Sequence, residues 1–333
     1  MMTLLTGRLQ FTMVLLLLMA VPIRADYSNR DEVRVFIDEM VTSENIDRAW
    51  LEKLFTQAEY SQSVIDAITR PAEKTLNWAE YQQIFLTPAR VARGSEFWTE
   101  NSAVLAEAEA QFGVPAEVIL AIIGVETFYG RYTGGYRVID SLSTLAFDYP
   151  PRGAFFRGEL HSLVLLANQH EVDPASLTGS YAGAMGLGQF IPSSYLAYSS
   201  DYDGDGFADL WSNPADAIWS VANYLAVHGW QRAEPIFDQV SVATSPPEDI
   251  LNRNLVPYVT IDQIADQGVS GIDYPEDSGQ VTLMYLEGMQ GDEYWIGHHN
   301  FYVITRYNHS HLYGMAVAQL ADQIRATKEL DSI

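Results

Sequence analysis

The strongest indication of the fold is the run Val118-Ile-Leu-Ala-Ile-Ile-Gly-Val125, which is followed by Glu126 and then by Thr-Phe-Tyr-Gly-Arg131. Eight successive residues without a polar side chain predict a helix that is buried on nearly all sides. Glu126 then meets a low-dielectric environment, which disfavours its charged form. The pattern predicts a carboxyl that stays protonated near neutral pH and acts as a general acid. In the alternative interpretation, Glu126 turns to solvent or pairs with Arg131 or Arg137.

Composition bounds the class of protein. The chain has 333 residues, 48% of them hydrophobic, so it is long enough to form a large folded core. It carries 19 Lys and Arg against 43 Asp and Glu, a formal net charge of −24. Such a surface repels nucleic acid and anionic membranes, so neither is an expected partner. The sequence contains no cysteine, which excludes a disulfide framework and a lipidated cysteine anchor.

Residues 1–25 have the pattern of an export signal peptide. Arg8 supplies a positive charge ahead of the apolar residues 11–23, and Ala20 or Ala25 is placed to precede the cleavage point. The apolar stretch is shorter than a membrane span and is followed at once by Arg24. We therefore expect a periplasmic protein without a lipid anchor, unless an uncleaved signal tethers it.

Periodicity and composition divide the rest of the chain into zones. Helical periodicity predicts a helical domain over residues 26–110, and residues 111–240 are denser in glycine and aromatic residues and form the predicted core domain. A small β-rich domain is predicted over residues 241–310, followed by a C-terminal helix within residues 311–333 that packs on the helical domain. The predicted fold class is mainly α (α+β), with a small antiparallel β domain.

Individual elements follow from local patterns. Two further core helices are predicted over residues 154–168 and 214–228, the second with proline at its start and His-Gly at its end. Alternation and β-branched residues predict strands at residues 281–286, 294–296 and 301–305.

A glycine-rich run, Gly183-Ala-Met-Gly-Leu-Gly-Gln-Phe-Ile-Pro192, lacks the lysine of a phosphate-binding loop. We interpret its small residues as positions where backbone approaches a ligand or another helix closely. Ser180 and Gln189 offer neutral hydrogen-bonding groups beside that run, and Phe190 and several tyrosines flank them. Neutral donors and acceptors next to aromatic rings are typical of a carbohydrate groove, although each tyrosine taken alone is better explained as core or surface.

The segment Asp201-Tyr-Asp-Gly-Asp-Gly-Phe-Ala-Asp209 matches a calcium-binding loop. Ser212 occupies the twelfth position, where a bidentate Glu is usual, and Asp216 is the predicted substitute. Four aspartates within nine residues would repel one another without a cation. The alternative is an Asp/Gly-rich turn that binds no metal. The predicted ligands are the side chains of Asp201, Asp203, Asp205, Asp209 and Asp216 and the backbone carbonyl of Phe207.

Several motifs, taken together and in order, closely resemble the lytic murein transglycosylase B family over residues 30 to 333. The segments are Gly124-Val-Glu-Thr127, Phe147-Asp-Tyr-Pro150 with Arg152, Gly179-Ser-Tyr-Ala-Gly-Ala-Met-Gly-Leu-Gly-Gln-Phe-Ile-Pro192, Ser220-Val-Ala-Asn-Tyr224 with His228-Gly-Trp230, and Ile304-Thr-Arg-Tyr-Asn-His-Ser310.

The resemblance implies a lysozyme-like helical catalytic core that cleaves peptidoglycan glycan strands between N-acetylmuramic acid and N-acetylglucosamine, as a monomer. Glu126 falls on the position of the family's single catalytic acid, and Asp216 on the position that completes its calcium loop. Cell-wall synthesis or remodelling proteins are further expected partners. The residues on substrate-groove positions are Arg152, Ser180, Gln189, Tyr307, Asn308 and Tyr313, and Phe190, next to Gln189, is a further predicted substrate contact.

The implied mechanism uses one carboxyl group. Glu126 protonates the glycosidic oxygen and then takes a proton from the sugar's own C6 hydroxyl, so that a 1,6-anhydro ring closes without water. A hydrolytic muramidase would need a second carboxylate about 5 to 9 Å away, and sequence assigns neither Asp140 nor Asp148 to that role. The sequence is also compatible with a non-catalytic peptidoglycan-binding protein and with a calcium-regulated structural protein.

Overall fold

The computed structural model describes residues 27–70, 76–243, 246, 248–271 and 279–331. The predicted signal peptide, residues 1–25, lies outside them. The helices of the described ranges are α1 (Asp31–Glu44), α2 (Arg48–Gln57), α3 (Gln62–Thr69), α4 (Trp78–Phe85), α5 (Pro88–Glu100), α6 (Ser102–Phe112), α7 (Ala116–Thr127), α8 (Val138–Asp148), α9 (Gly153–Gln169), α10 (Pro192–Tyr198), α11 (Pro214–Val227), α12 (Ile261–Ala265), α13 (His299–Thr305) and α14 (His311–Asp331). The strands are β1 (Tyr136–Arg137), β2 (Thr178–Gly179), β3 (Phe237–Val242), β4 (Val259–Thr260), β5 (Val269–Ser270), β6 (Gln280–Gly288) and β7 (Gly291–Gly297).

Helix α7 is the centre of the core, as the apolar run predicts. Every residue from Val118 to Val125 is buried, because helices α5, α6, α11 and α14 pack around it. The helix ends where Phe128 adopts a left-handed conformation with φ of 53°. Glu126 therefore stands at the last turn, where the buried helix meets the surface.

The N-terminal helices begin at local capping signals. Asn77 and Glu80 form a capping box at the start of α4, in which each side chain accepts a hydrogen bond from the other residue's backbone N–H. Thr87 caps α5, and Pro88 occupies its first turn, where no N–H is needed. Helices α4 and α5 both pack against α14, and α14 also packs on α7, so α14 joins these two helices to the core.

Five strands between Phe237 and Gly297 form an antiparallel sheet with the order β4-β6-β7-β3-β5. The predicted strands at residues 281–286 and 294–296 lie in β6 and β7, which pair as a hairpin closed between Gly288 and Gly291. The predicted fold class, mainly α with a small antiparallel sheet, is confirmed.

The strand predicted over residues 301–305 is wrong. This segment is helix α13, and its side chains at Phe301, Val303 and Ile304 are buried in the main core. Phe301 packs against Gly297 and Gly314, where an added Cβ would lie 2.7 Å from its ring atoms. Tertiary packing therefore overrides the β-branched composition that favours a strand.

Within the described ranges, no single helix has the length and hydropathy of a membrane span. Helices α6 and α7 pass such a test only as a pair, and they are bent by 113° at the break between them.

Candidate active site

Glu126 is held by one side chain from the far end of the chain. The Tyr313 hydroxyl donates a 2.7 Å hydrogen bond to Glu126 Oε1. Burial raises the pKa of the Glu126 carboxyl to about 7, and the Tyr313 hydrogen bond opposes that rise. Within the described residues no second carboxylate contributes to the raised pKa. A carboxyl with this pKa can give up and regain a proton near neutral pH.

Three tyrosines surround this carboxyl. Tyr307 stacks on Tyr313 with ring centroids 6.5 Å apart and an interplanar angle of 10°. The pKa values of both hydroxyls are raised well above the ordinary range, by burial first and then by the negative charge of Glu126. Tyr81 of α4 was not predicted; burial and the charge of Glu126 raise its pKa too. The tyrosines therefore stay neutral and can donate hydrogen bonds beside the carboxyl.

Hydrogen bonds tie the glycine-rich run to the end of α7. Thr127 Oγ1 lies 2.9 Å from the Leu187 carbonyl oxygen and accepts a bond from the Gly130 N–H. Gln189 Nε2 donates to the carbonyl oxygens of Thr133 and Gly186 at 3.1 and 2.9 Å, with its own backbone at φ of 51°. The close backbone approach predicted for this run is present, and it fixes the glycine-rich run beside the end of α7. We call this run the glycine-rich wall.

Tyr307 joins the same wall to the turn before α14. Its hydroxyl donates a 2.6 Å hydrogen bond to the Gly188 carbonyl oxygen. An added Cβ at Gly188 would lie 2.9 Å from that hydroxyl, so glycine is needed for this contact. Phe190 is only 2% exposed and packs 6.0 Å from Tyr307, so its ring supports the Tyr307 ring from within the core.

The remaining predicted groove residues make contacts of their own or are exposed. Ser180 is half-buried, and its Oγ accepts hydrogen bonds from the backbone N–H groups of Ala182 and Ala184. Asn308 is exposed directly after Tyr307. Arg152 is also exposed, with its guanidinium 4.7 and 5.0 Å above the rings of Phe155 and Phe156. The structure thus brings Tyr307 and Tyr313 to Glu126, whereas the substrate contacts predicted for the other residues stay predictions.

Asp140 and Asp148, the two carboxylates considered for hydrolysis, bind the helical domain. Asp148 accepts hydrogen bonds from the Tyr27 hydroxyl at 2.7 Å and from Arg30 at 2.9 Å. Asp140 accepts one from the Glu59 N–H at 2.9 Å and forms an ion pair with Arg137. Both carboxylates therefore stabilise the contact between helix α8 and the N-terminal residues 27–59.

Three of the predicted calcium ligands converge in the acidic loop. Asp201, Asp203 and Asp205 are exposed, and each places an oxygen within 4.8 Å of the others. The Gly206 and Gly204 N–H groups donate to Asp201, and the first of these lowers its pKa most. Hard carboxylate oxygens at this spacing suit a calcium ion.

The other three predicted ligands have different contacts. Asp216 is fully buried, and its two oxygens accept hydrogen bonds from the Tyr202 and Asp209 N–H groups at 2.9 and 2.8 Å. The Asp209 carboxylate accepts hydrogen bonds from the Trp211 and Ser212 N–H groups. Phe207 donates its N–H to Asp205 Oδ1. Asp216 thus joins the two ends of the loop, and its coordination of a cation stays a prediction.

Comparison with known proteins identifies this arrangement. The profile of the family described as Transglycosylase SLT domain matches residues 28–322. The chain belongs to the SLT transglycosylase family. Membrane-bound lytic murein transglycosylase B of Escherichia coli (strain K12) is 40% identical to this family member over 308 residues, which cover 90% of this chain and 84% of that protein. The resemblance stated from the sequence motifs is confirmed.

Solved structures of other transglycosylases share the fold. The catenated SltB1 of Pseudomonas aeruginosa has a TM-score of 0.88 and 48% identity, over 91% of this chain and 100% of that one. Escherichia coli Slt35 in complex with calcium has a TM-score of 0.81 and 38% identity, over 91% and 95%. SltB3 of Pseudomonas aeruginosa in complex with NAG-anhNAM-pentapeptide has a TM-score of 0.79 and 31% identity, over 88% and 79%. This SLT transglycosylase is a peptidoglycan-cleaving lyase.

Proposed function

We propose that Glu126 alone serves as acid and then base, and that the products carry 1,6-anhydro-N-acetylmuramic acid ends. The position of Glu126 carries this proposal, because its half-buried carboxyl has a pKa near 7 and a fixed orientation on Tyr313. A carboxyl that is protonated before cleavage and ionised after it can perform both proton transfers. The relative bound to NAG-anhNAM-pentapeptide supports a product of this kind.

The reaction balances without water. The protonated Glu126 gives its proton to the glycosidic oxygen of the β-1,4 bond, and the bond from C1 of N-acetylmuramic acid to that oxygen breaks. The N-acetyl group of the same sugar stabilises the oxocarbenium-like centre at C1. The Glu126 carboxylate then removes the proton from the C6 hydroxyl, and O6 bonds to C1. Because the attacking group belongs to the same sugar, its effective molarity is on the order of 10⁵ M or more.

Tyr313 and Tyr307 prepare the site for this sequence. The Tyr313 hydroxyl stabilises the ionised form of Glu126 that exists after the first proton transfer, because it donates a hydrogen bond to the carboxylate. The Tyr307 hydroxyl donates a hydrogen bond to the Gly188 carbonyl oxygen, which fixes the distance between the Tyr307 ring and the glycine-rich run. We propose that Ser180, Gln189 and Asn308 contact the sugar hydroxyls, and that Arg152 meets the lactyl group or the peptide stem.

Calcium and location complete the proposal. The acidic loop, residues 201–216, would bind calcium through Asp201, Asp203 and Asp205. The cation would stabilise this loop, which follows the glycine-rich run in the chain. The calcium complex of Slt35 supports this part of the proposal. The substrate is the glycan strand of peptidoglycan, so the protein acts in the periplasm. The membrane-bound Escherichia coli relative is consistent with a place in the cell envelope.

Product analysis tests the proposal. Purified peptidoglycan is digested with the wild-type protein and with Glu126→Gln, and the released muropeptides are weighed by mass spectrometry. Glu117→Gln is the matched control, because Glu117 lies in the first turn of the same helix α7 and burial raises its pKa as well. We expect anhydro products, lighter by one water than hydrolysis products, from the wild type and the control only.

Other outcomes would change the assignment. Reducing-end products would identify a hydrolytic muramidase with a second carboxylate. Equal activity of Glu126→Gln would remove Glu126 from the chemistry. A lack of products with every variant would indicate a peptidoglycan-binding protein without catalysis.

A further inference from the structure

A second cleft of about 720 Å³ lies between the helical domain and the β domain. Helix α4, the start of α5, helix α14 and strands β3 and β7 form its sides, together with the tip of the β6–β7 hairpin. Its lining is rich in one side chain, and we call it the glutamine cleft. The glutamines are Gln82, Gln83, Gln239, Gln290, Gln319 and Gln323.

Five of these amides have uncommitted hydrogen-bonding groups. Gln82 is the exception: its Nε2 lies 3.5 Å from Glu293 Oε1, and its Oε1 accepts the Met289 N–H at 3.2 Å. Across the described ranges of the chain, the other five glutamine side chains make no hydrogen bond. Each offers two donors and one acceptor, so the cleft presents many neutral groups to a ligand.

The only acidic side chain on this lining holds an aromatic ring in place. Glu293 Oε2 accepts hydrogen bonds from the Trp295 and Trp78 indole N–H groups, both at 3.0 Å. Trp295 also packs 5.3 Å from Phe237, which fixes the ring further. The cleft therefore combines a rigid indole with free amides, and its lining contains no lysine or arginine.

Charge selects the class of ligand. The chain carries a net charge of −24, and the cleft offers no cation to a carboxylate or phosphate group. A peptide stem with free carboxylates would be repelled. An N-acetylglucosamine unit is neutral, presents hydroxyl and acetamido groups that amides can pair with, and has C–H faces that pack on an indole.

We infer that the glutamine cleft binds a neutral N-acetylglucosamine unit of a glycan, outside the catalytic groove. This inference rests on the proposed function, because a glycan strand must be the substrate for such a site to be useful. Helix α4 carries Gln82 and Gln83 next to Tyr81, whose pKa is raised by burial and then by the charge of Glu126. Helix α14 carries Gln319 and Gln323 after Tyr313. The two sites thus share two helices, and the second site increases the local concentration of polymeric substrate.

Binding is tested without cleavage. Tetra-N-acetylchitotetraose is titrated into Glu126→Gln protein while the Trp295 indole N–H is followed by NMR, after assignment with Trp295→Phe. We expect the Trp295 signal to shift with saturation. No shift of this signal, or a shift with a free stem pentapeptide but not with the saccharide, overturns the inference.

A charge-matched pair of variants identifies the amides. Gln83 and Gln323 are exposed in the cleft, whereas Gln111 and Gln267 are exposed elsewhere on the molecule. The double change Gln83→Glu with Gln323→Glu removes donors that face the saccharide and should weaken binding at Trp295 about tenfold or more. Gln111→Glu with Gln267→Glu adds the same charge and should leave that affinity unchanged. Equal affinities in the two doubles contradict the inference.

Kinetics of the active enzyme show whether the bound glycan belongs to the strand being cleaved or to a neighbouring strand. In the cleft variant we expect KM for polymeric peptidoglycan to rise about tenfold with kcat unchanged, and KM for a short soluble fragment to stay the same. A rise on isolated long strands means that the cleft takes a distant segment of the same strand, and a rise only on cross-linked sacculi means a neighbouring strand. An unchanged KM on both polymers overturns the role. Since the NMR titration does not depend on turnover, failure of the proposed chemistry would be seen separately.

Discussion

The Tyr313 hydroxyl lies 2.7 Å from Glu126 Oε1, although the two residues are 187 positions apart in the chain. This contact brings the C-terminal helix α14 to the end of the buried helix α7. It also opposes the effect of burial on the proton affinity of Glu126, because a donated hydrogen bond favours the ionised carboxyl. The balance between these two effects sets the pH range in which the carboxyl can act as an acid.

Tyr313→Phe should therefore move the pH profile. In the wild type, kcat/KM should fall as pH rises through about 7, because the acid form of Glu126 is then lost. Without the hydroxyl the pKa of Glu126 rises further, so the fall should occur at higher pH. Tyr307→Phe is the control, because the Tyr307 hydroxyl donates to Gly188 and not to Glu126. A fall at lower pH in Tyr313→Phe would contradict this account.

Glu126→Gln should stabilise the protein at high pH. Burial raises the pKa of Glu126 from 4.5 to about 7, so the folded wild type binds a proton that the unfolded chain has lost between these values. The free energy of unfolding then falls as pH rises through that window and stays lower above it. The glutamine variant lacks this loss and should exceed the wild type by up to about 3 kcal/mol at high pH. Denaturant unfolding at about pH 4 and about pH 8 measures it; an equal difference at both would oppose the assignment.

Tyr129 limits the size of the residue at position 124 of helix α7. An added Cβ at Gly124 would lie 2.6 Å from the Tyr129 hydroxyl oxygen and 2.7 Å from its ring carbon Cζ. Gly124→Ala should lower the free energy of unfolding by about 1–3 kcal/mol through this overlap. Gly158→Ala is the control, since an added Cβ at Gly158 meets nothing within 4 Å.

The hydroxyl itself supplies a second test of that overlap. Within the described structure the buried Tyr129 hydroxyl has no hydrogen-bond partner, so Tyr129→Phe alone should cost little stability. Combined with Gly124→Ala, Tyr129→Phe should recover part of the lost stability, because it removes the shorter contact, the one between the added Cβ and the hydroxyl oxygen. Strictly additive effects in the double variant would show that the two residues do not interact.

The sequence predicts local features of this site well. Helix α7 is an uninterrupted apolar run whose only carboxyl at the C-terminal end is Glu126, so the burial and raised pKa of this carboxyl follow from adjacent residues. The acidic loop likewise carries Asp201, Asp203 and Asp205 within five positions, and the structure groups their oxygens. Family motifs added Tyr307 and Tyr313, which no local pattern distinguishes from core tyrosines.

Features that depend on packing between distant segments were harder to predict. Tyr81 belongs to an aromatic series on α4 with Trp78 and Phe85, a pattern equally typical of a core helix. Only the packing of α4 on α14 brings it near Glu126. The strand prediction for residues 301–305 was wrong for the same reason. The β-branched residues of this segment pack into the core from a helix, and the neighbouring sequence gives no sign of that environment.

Calcium should raise the thermal stability of the protein through the acidic loop. A cation that binds only the folded chain increases the melting temperature with its concentration relative to Kd, and it also relieves repulsion among the three exposed aspartates. At about 100 times Kd the added stability is roughly 2.7 kcal/mol, and chelation should remove it. Asp201→Asn with Asp203→Asn should abolish the calcium response. Asp249→Asn, at an exposed position outside the loop, should retain it. A response that survives loss of both loop carboxylates would place the cation elsewhere.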